Sequence, residues 1–161
     1  MRNLKRELYL KIIFIISCTA LVSAFFIEYA LGYQPCNLCL IERIPYGISI
    51  ILVITIFILK KNENFLIMLL ILTFIFSLAI SIYHFGIEQG FFQESSVCGT
   101  KDFNENITKE DLLELLNQER ISCKDVTFRI FGLSLTSINI VISLLLILTL
   151  TKIFTNYEKK R

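Results

Sequence analysis

Apolar positions in this chain gather into four long blocks, and most of its polar chemistry sits in the gaps between them. The blocks run Leu8–Leu31, Ile44–Leu59, Phe65–Tyr83 and Ile130–Phe154. A helix rises about 1.5 Å per residue and a bilayer core is ~30 Å thick, so a crossing takes roughly 17–25 residues. The first and fourth blocks are long enough outright and the third is adequate. The second is short unless its helix begins ahead of Ile44, near Leu40. Lipid offers no partners for backbone N–H and C=O groups, so runs of Ile, Leu and Phe this long predict helices. The expected fold is an all-α integral membrane four-helix bundle, a single domain over residues 1–161. Its spans are expected at about 10–30, 42–59, 65–83 and 132–153, with loops at about 31–43 and 84–129. A cleaved signal peptide is the rival reading of the first block, with a basic start and a Val22-Ser23-Ala24 cleavage pattern. The apolar run continues through Phe25, Phe26 and Ile27, well past a usual signal h-region, which argues against it.

Composition agrees with the pattern. Of 161 residues, 55% are hydrophobic, more than a soluble domain of this length usually absorbs. The net charge of +2 says little, whereas the placement of charge sets an orientation. Ten basic residues lie at one end of the blocks: Arg2, Lys5, Arg6 and Lys11, then Lys60 and Lys61, then Lys152, Lys159, Lys160 and Arg161. The long segment after the third block carries only Lys101, Lys109, Arg120 and Lys124 against nine acids. Lys and Arg stay on the cytoplasmic side, so both termini are expected there and the two longer loops are expected outside.

That topology sorts the five cysteines. Cys18 falls in mid-membrane, where a cysteine reads as a small buried hydrophobe. Cys36, Cys39, Cys98 and Cys123 all fall in the outer loops, two in each, on the side where disulfides persist. The first pair is Cys36-Asn37-Leu38-Cys39. A ring this small adds little chain-entropy stabilisation, so Cys-x-x-Cys is more often redox-active or metal-binding. A zinc site needs two more ligands, and His84 is the single histidine, which makes the dithiol/disulfide couple the preferred reading. Cys39 leads into the second helix, whose N-terminus favours a thiolate, and Arg43 follows four residues later. A permanent cation beside that sulfur would stabilise a thiolate and an anionic acceptor. Glu42 is either the ion-pair partner of Arg43 or a surface charge, and Pro45 suits a first helical turn.

The second pair is 25 residues apart across a polar stretch. Thr108 with Asp111 opens a short amphipathic helix bearing Leu112, Leu113, Leu115 and Leu116. Taken alone, Cys98 and Cys123 are equally a structural staple or a redox pair; beside an external Cys-x-x-Cys they suggest a relay.

The run Cys36-Asn37-Leu38-Cys39-Leu40-Ile41-Glu42-Arg43 resembles the C-x-L-C-x-x-[EQ]-R motif of the bacterial disulfide bond formation protein B family. The resemblance extends through Tyr83-His84-Phe85-Gly86-Ile87-Glu88-Gln89-Gly90 and through Phe128-Arg129-Ile130-Phe131-Gly132-Leu133-Ser134-Leu135, and so covers nearly the whole chain. It implies an inner-membrane protein-dithiol:quinone oxidoreductase with its active cysteines facing the periplasm. It implies disulfides Cys36–Cys39 and Cys98–Cys123, with Cys98 attacked by a thioredoxin-fold (DsbA-like) dithiol partner. It further implies that Cys39 meets the quinone ring, ubiquinone or menaquinone, with Arg43 and His84 at the quinone site. No nucleotide-binding, metal-cluster, haem or nucleic-acid pattern stands out.

Two rival readings remain at this level. One is a vitamin K epoxide reductase-like quinone oxidoreductase, in which the active pair sits toward the end of the bundle. The other is a non-enzymatic membrane subunit whose outer loops are stapled by disulfides.

Overall fold

A computed structural model describes residues 2–59, 62–94, 98, 122–124, 128–130 and 132–158. The amphipathic helix expected after Thr108 lies outside these residues.

Four helices are long and apolar enough to cross a membrane, as expected. The first, α1, spans Arg2–Tyr29. The second crossing is built from two pieces. A short helix, α2 (Asn37–Ile41), is followed after a two-residue turn by α3 (Ile44–Leu59). Together they give an apolar stretch Asn37–Leu59, which resolves the apparent shortness of the second block. Pro45 lies in the first turn of α3, where its missing N–H leaves no bond unmade. Asn62 adopts a left-handed backbone (φ 56°) at the entrance to α4, Glu63–Glu88.

Two boundaries differ from expectation. Helix α4 runs on to Glu88, so His84 belongs to a helix and not to a loop. The fourth helix, α5, spans Leu135–Glu158 and starts later than expected. Before it the chain makes a small antiparallel hairpin, β1 (Arg129–Ile130) and β2 (Leu133–Ser134), in the register Arg129 to Ser134 and Ile130 to Leu133. Gly132 turns the hairpin with φ 82°, a conformation that side chains with a β-carbon disfavour.

Helix α4 packs most extensively on α5, α1 packs on α3, and α3 on α4. The core holds Leu10, Ile13, Val53, Ile56, Ile67, Leu70, Phe74, Leu146 and Leu150. Val22, Phe26, Ile51, Ile58, Phe76 and Leu145 face outward, as lipid-facing residues should. Small hydroxyls join helices inside: Ser49 donates to Ser17 at 2.7 Å, and Ser77 and Ser143 pair at 3.1 Å. In lipid, close packing and interhelical hydrogen bonds take over the role that burial from water plays in soluble bundles.

The ends of the bundle are pinned by polar contacts. Arg6 pairs with Glu63, joining the starts of α1 and α4. At the opposite end, Arg43 reaches Glu28 at 2.5 Å and Thr136 reaches Glu88 at 2.6 Å. The second end gathers the finish of α1, all of α2, the finish of α4 and the start of α5. The cysteine pairs lie there.

Candidate functional site

Cys36 is the N-cap of α2, in extended conformation (φ −70°, ψ 165°), and its Sγ accepts the Cys39 backbone N–H at 3.2 Å. Cap geometry therefore aims the first sulfur of the motif, not the second, at the free N–H groups of the turn. On its other side, His84 Nε2 lies 3.6 Å from Cys36 Sγ. Hydrogen bonding from the Cys39 thiol, helped by the His84 imidazole and opposed by burial, pushes the Cys36 thiol from its usual 9.0 down to about 5. The sequence suggested Cys39 as the thiolate. The reversal follows from which sulfur receives the donors. Cys36 is buried and Cys39 is half-buried, so the more accessible sulfur is not the one that the cap and the imidazole face.

The imidazole is held from behind. His84 Nδ1 lies 2.9 Å from Glu42 Oε1 and 3.3 Å from Thr136 Oγ1. Glu42 is only 8% exposed, which excludes its reading as a surface charge, and it is not the partner of Arg43. Its second oxygen accepts Asn139 Nδ2 at 3.0 Å, and the same amide nitrogen reaches Ser81 at 2.7 Å. The Tyr46 hydroxyl donates to Asn139 Oδ1. A carboxylate behind one ring nitrogen fixes the tautomer and leaves the other nitrogen to face the sulfur.

Arg43 is engaged elsewhere. Its guanidinium pairs with Glu28 and lies 5.2 Å from the centre of the Phe25 ring, both on α1. Among the described residues no contact joins it to Cys39. Four residues place two side chains on one face only in an unbroken helix, and the turn at Glu42–Arg43 interrupts it.

The second pair is joined: Cys98 and Cys123 form a disulfide with Cα atoms 5.6 Å apart. Cys36 and Cys39 are unbridged in this structure, one of the two forms that a dithiol/disulfide couple takes. The sequence also suggested Cys98 in a reachable loop. Instead Cys98 and Cys123 are 3% and 2% exposed, in one cluster with Cys36, Leu38 and Ile87. Apolar disulfide surface finds its cover on the helix ends. Glu94 secures the bridge from outside, accepting the Ser122 hydroxyl and, at 3.0 Å, the Lys124 N–H. Tyr33 of the first loop packs on Phe128 just before the hairpin, with ring centres 5.2 Å apart.

The sulfurs of Cys36 and Cys39 and Nε2 of His84 lie within 4.8 Å of one another. That is one donor fewer than a closed structural zinc site takes, and the imidazole already has a catalytic type of partner in the Cys36 sulfur. Glu28, Glu42, Glu88, Thr136 and Asn139 were not singled out from the sequence as site residues. The one available signal was four ionisable side chains, Glu28, Glu42, His84 and Glu88, inside or beside apolar spans, where such groups are costly and so mark function.

Comparison with known proteins agrees with this geometry. The family described as "Disulfide bond formation protein DsbB" matches residues 6–153. The uncharacterized protein RP370 of Rickettsia prowazekii (strain Madrid E) is 29% identical over 137 residues, covering 84% of this chain and 80% of that protein. No solved structure matches the chain. A thiol pair served by a buried histidine, seated at the end of a four-helix membrane bundle beside a second disulfide, is thus carried by a member of the disulfide bond formation protein B (DsbB) family.

Proposed function

We propose that this protein oxidises a periplasmic thioredoxin-fold dithiol partner and passes the electron pair to a membrane quinone. Family membership supports a role in disulfide bond formation. The observation that carries the finer reading is the packing of the two cysteine pairs into one cluster. A disulfide, Cys98–Cys123, lies in one cluster with a thiol pair whose Cys36 sulfur is prepared as a thiolate.

Thiol–disulfide exchange requires a thiolate in contact with a disulfide sulfur. In the proposed cycle the partner's thiolate attacks Cys98, its disulfide forms as Cys98 and Cys123 are reduced, and these then reduce a Cys36–Cys39 bond. Cys39, half-buried and protonated, is the sulfur a lipid-soluble acceptor could reach. Cys36, buried and anionic, closes the bond to Cys39 as the electron pair leaves.

The residues at the lip fit a flat, apolar ring with polar carbonyls. The Arg43 guanidinium over Phe25 supplies a cation, and the exposed Phe26, Leu40 and Ile44 supply apolar cover open to lipid. A quinone bound there would supply the two-electron acceptor, and the protein supplies thiols, a cation and proton handling. The positive-inside pattern supports cytoplasmic termini and a periplasmic site.

The test is oxidation of a reduced thioredoxin-fold protein by the purified chain with ubiquinone or menaquinone. Cys39→Ser should abolish turnover, and Cys123→Ser should accumulate a mixed disulfide on Cys98. Turnover with no quinone, or full activity in Cys39→Ser, would overturn the reading. A stapled, non-enzymatic subunit predicts that the same variants change only stability.

A further inference from the structure

Two buried glutamates flank His84, and their hydrogen bonds differ. Both oxygens of Glu42 are engaged, Oε1 at His84 Nδ1 and Oε2 at the Asn139 amide. Glu88, one helical turn after His84, has a side chain only 6% exposed. Its Oε1 accepts the Thr136 hydroxyl at 2.6 Å and stands 3.9 Å from His84 Nε2. Its Oε2 is buried with no hydrogen-bond partner among the described residues. A buried polar atom left open is costly, and in a membrane helix end it calls for a reason.

The chemistry of the site supplies one. Closing the Cys36–Cys39 bond releases two electrons and two protons, and reducing a quinone to a quinol consumes both. His84 Nε2 faces the Cys36 sulfur on one side and Glu88 on the other. Glu42 lies behind the ring with both oxygens engaged, whereas Glu88 lies on the Nε2 side that faces the sulfur and has an open oxygen.

We infer that Glu88 is the proton store of the redox site, receiving through His84 a proton that would otherwise remain on the thiol pair. The inference rests on the quinone-oxidoreductase reading and adds a residue to it. With the pair reduced, Cys36 is a thiolate and the proton it gave up is held by His84 and Glu88. On oxidation the S–S bond forms, the electron pair goes to the quinone, and the Glu88 O–H breaks to return its proton through the imidazole. The Cys39 S–H supplies the other proton, so two of each leave together. A modest side-chain rotation closes the gap to Nε2, as such contacts often tighten only in the working complex. The titratable groups around Glu88 among the described residues are His84 on its own helix and, through that ring, Cys36 and Glu42. Helix α5 contributes Thr136, which does not titrate but donates to Oε1 and holds the carboxyl toward the ring. Glu88 acts through His84 and is therefore a positioning and proton-holding residue.

Redox-difference infrared spectroscopy of the full chain, cycled between dithiol and disulfide by soluble thiol reagents, reads the store without any quinone. The wild type should lose a protonated-carboxyl C=O band on oxidation of the inner pair. Glu88→Gln should lack the band, and Thr136→Val should keep it, shifted by loss of the hydroxyl donor. With quinone present, Glu88→Gln should slow single-turnover oxidation of the pair by about tenfold or more, within the usual worth of general acid–base groups, and flatten its pH profile. Glu88→Asp should restore part of both. A wild type without the band, or a Glu88→Gln variant that keeps it, overturns the proposal. Should Glu88→Gln fail to fold, Glu88→Asp decides the matter: its band must move, and an unmoved band overturns the proposal equally. Failure of the wild type to reduce any quinone would sink the functional reading while leaving the infrared result intact.

Discussion

The reactivity of this site is concentrated on one sulfur atom. Cys36 Sγ receives the Cys39 N–H at 3.2 Å and faces the His84 ring at 3.6 Å, and both contacts favour its anion. The pKa falls from 9.0 to about 5, so the folded chain binds the proton less well than the unfolded one. The sign of the linkage follows: the reduced chain gains stability from the Cys36 thiolate that is fully present above pH 9.0 and is lost as pH falls through about 5. The oxidised chain has no such dependence. Ultraviolet thiolate absorbance of the reduced protein should therefore disappear on acidification with a midpoint near 5. In His84→Gln the midpoint should move up toward the ordinary thiol value, and an unchanged midpoint would remove His84 from the site. The cysteine motif was plain in the sequence, but which of its sulfurs is the anion was not. That depends on a cap conformation at Cys36 and on a histidine 48 residues away.

At the scale of elements, the last turn of α4 is decisive. Hydropathy ends the third span at Tyr83, because His84, Glu88 and Gln89 read as a polar loop. The helix continues because His84 and Glu88 find buried partners at the cap of α2, in the turn before α3 and on α5, and a transfer scale counts the cost of a polar group without seeing its partner. These partners lie 42 and 48 residues away in sequence, so no local pattern signals them. Just within this turn Gly86 has no room for a side chain, because a β-carbon there would run into the Phe92 ring, which folds back to stack on Tyr83. Gly86→Val should displace Phe92, destabilise the chain by about 1–3 kcal/mol as overpacking usually does, and lower the thermal midpoint. A variant as stable as wild type in a detergent melt would show that the ring is free to move aside. The second crossing teaches a related lesson. Its length came right only when α2 and α3 are taken together, and the turn between them is what sends Arg43 toward Glu28 on α1 instead of toward Cys39.

For the whole molecule, the four crossings were legible because lipid makes helix and hydropathy nearly one requirement. Each crossing reverses the direction of the one before it, and the Arg6–Glu63 pair and the cysteine site mark opposite ends of the bundle. Orientation in the membrane rests on the distribution of Lys and Arg. An impermeant maleimide added outside reduced, sealed cells should label Cys98 and Cys123, and should not label Cys18 within α1. Labelling of the two loop cysteines only after the cytoplasmic face is opened would invert the topology.

Seating the Cys98–Cys123 bridge on Cys36, with barely any of either sulfur-bearing residue in contact with solvent, has a consequence for selectivity. On the proposed function, a partner attacking that bridge would first have to expose it. Such burial would then favour a protein that docks on the helix ends over a reagent that makes no contacts there.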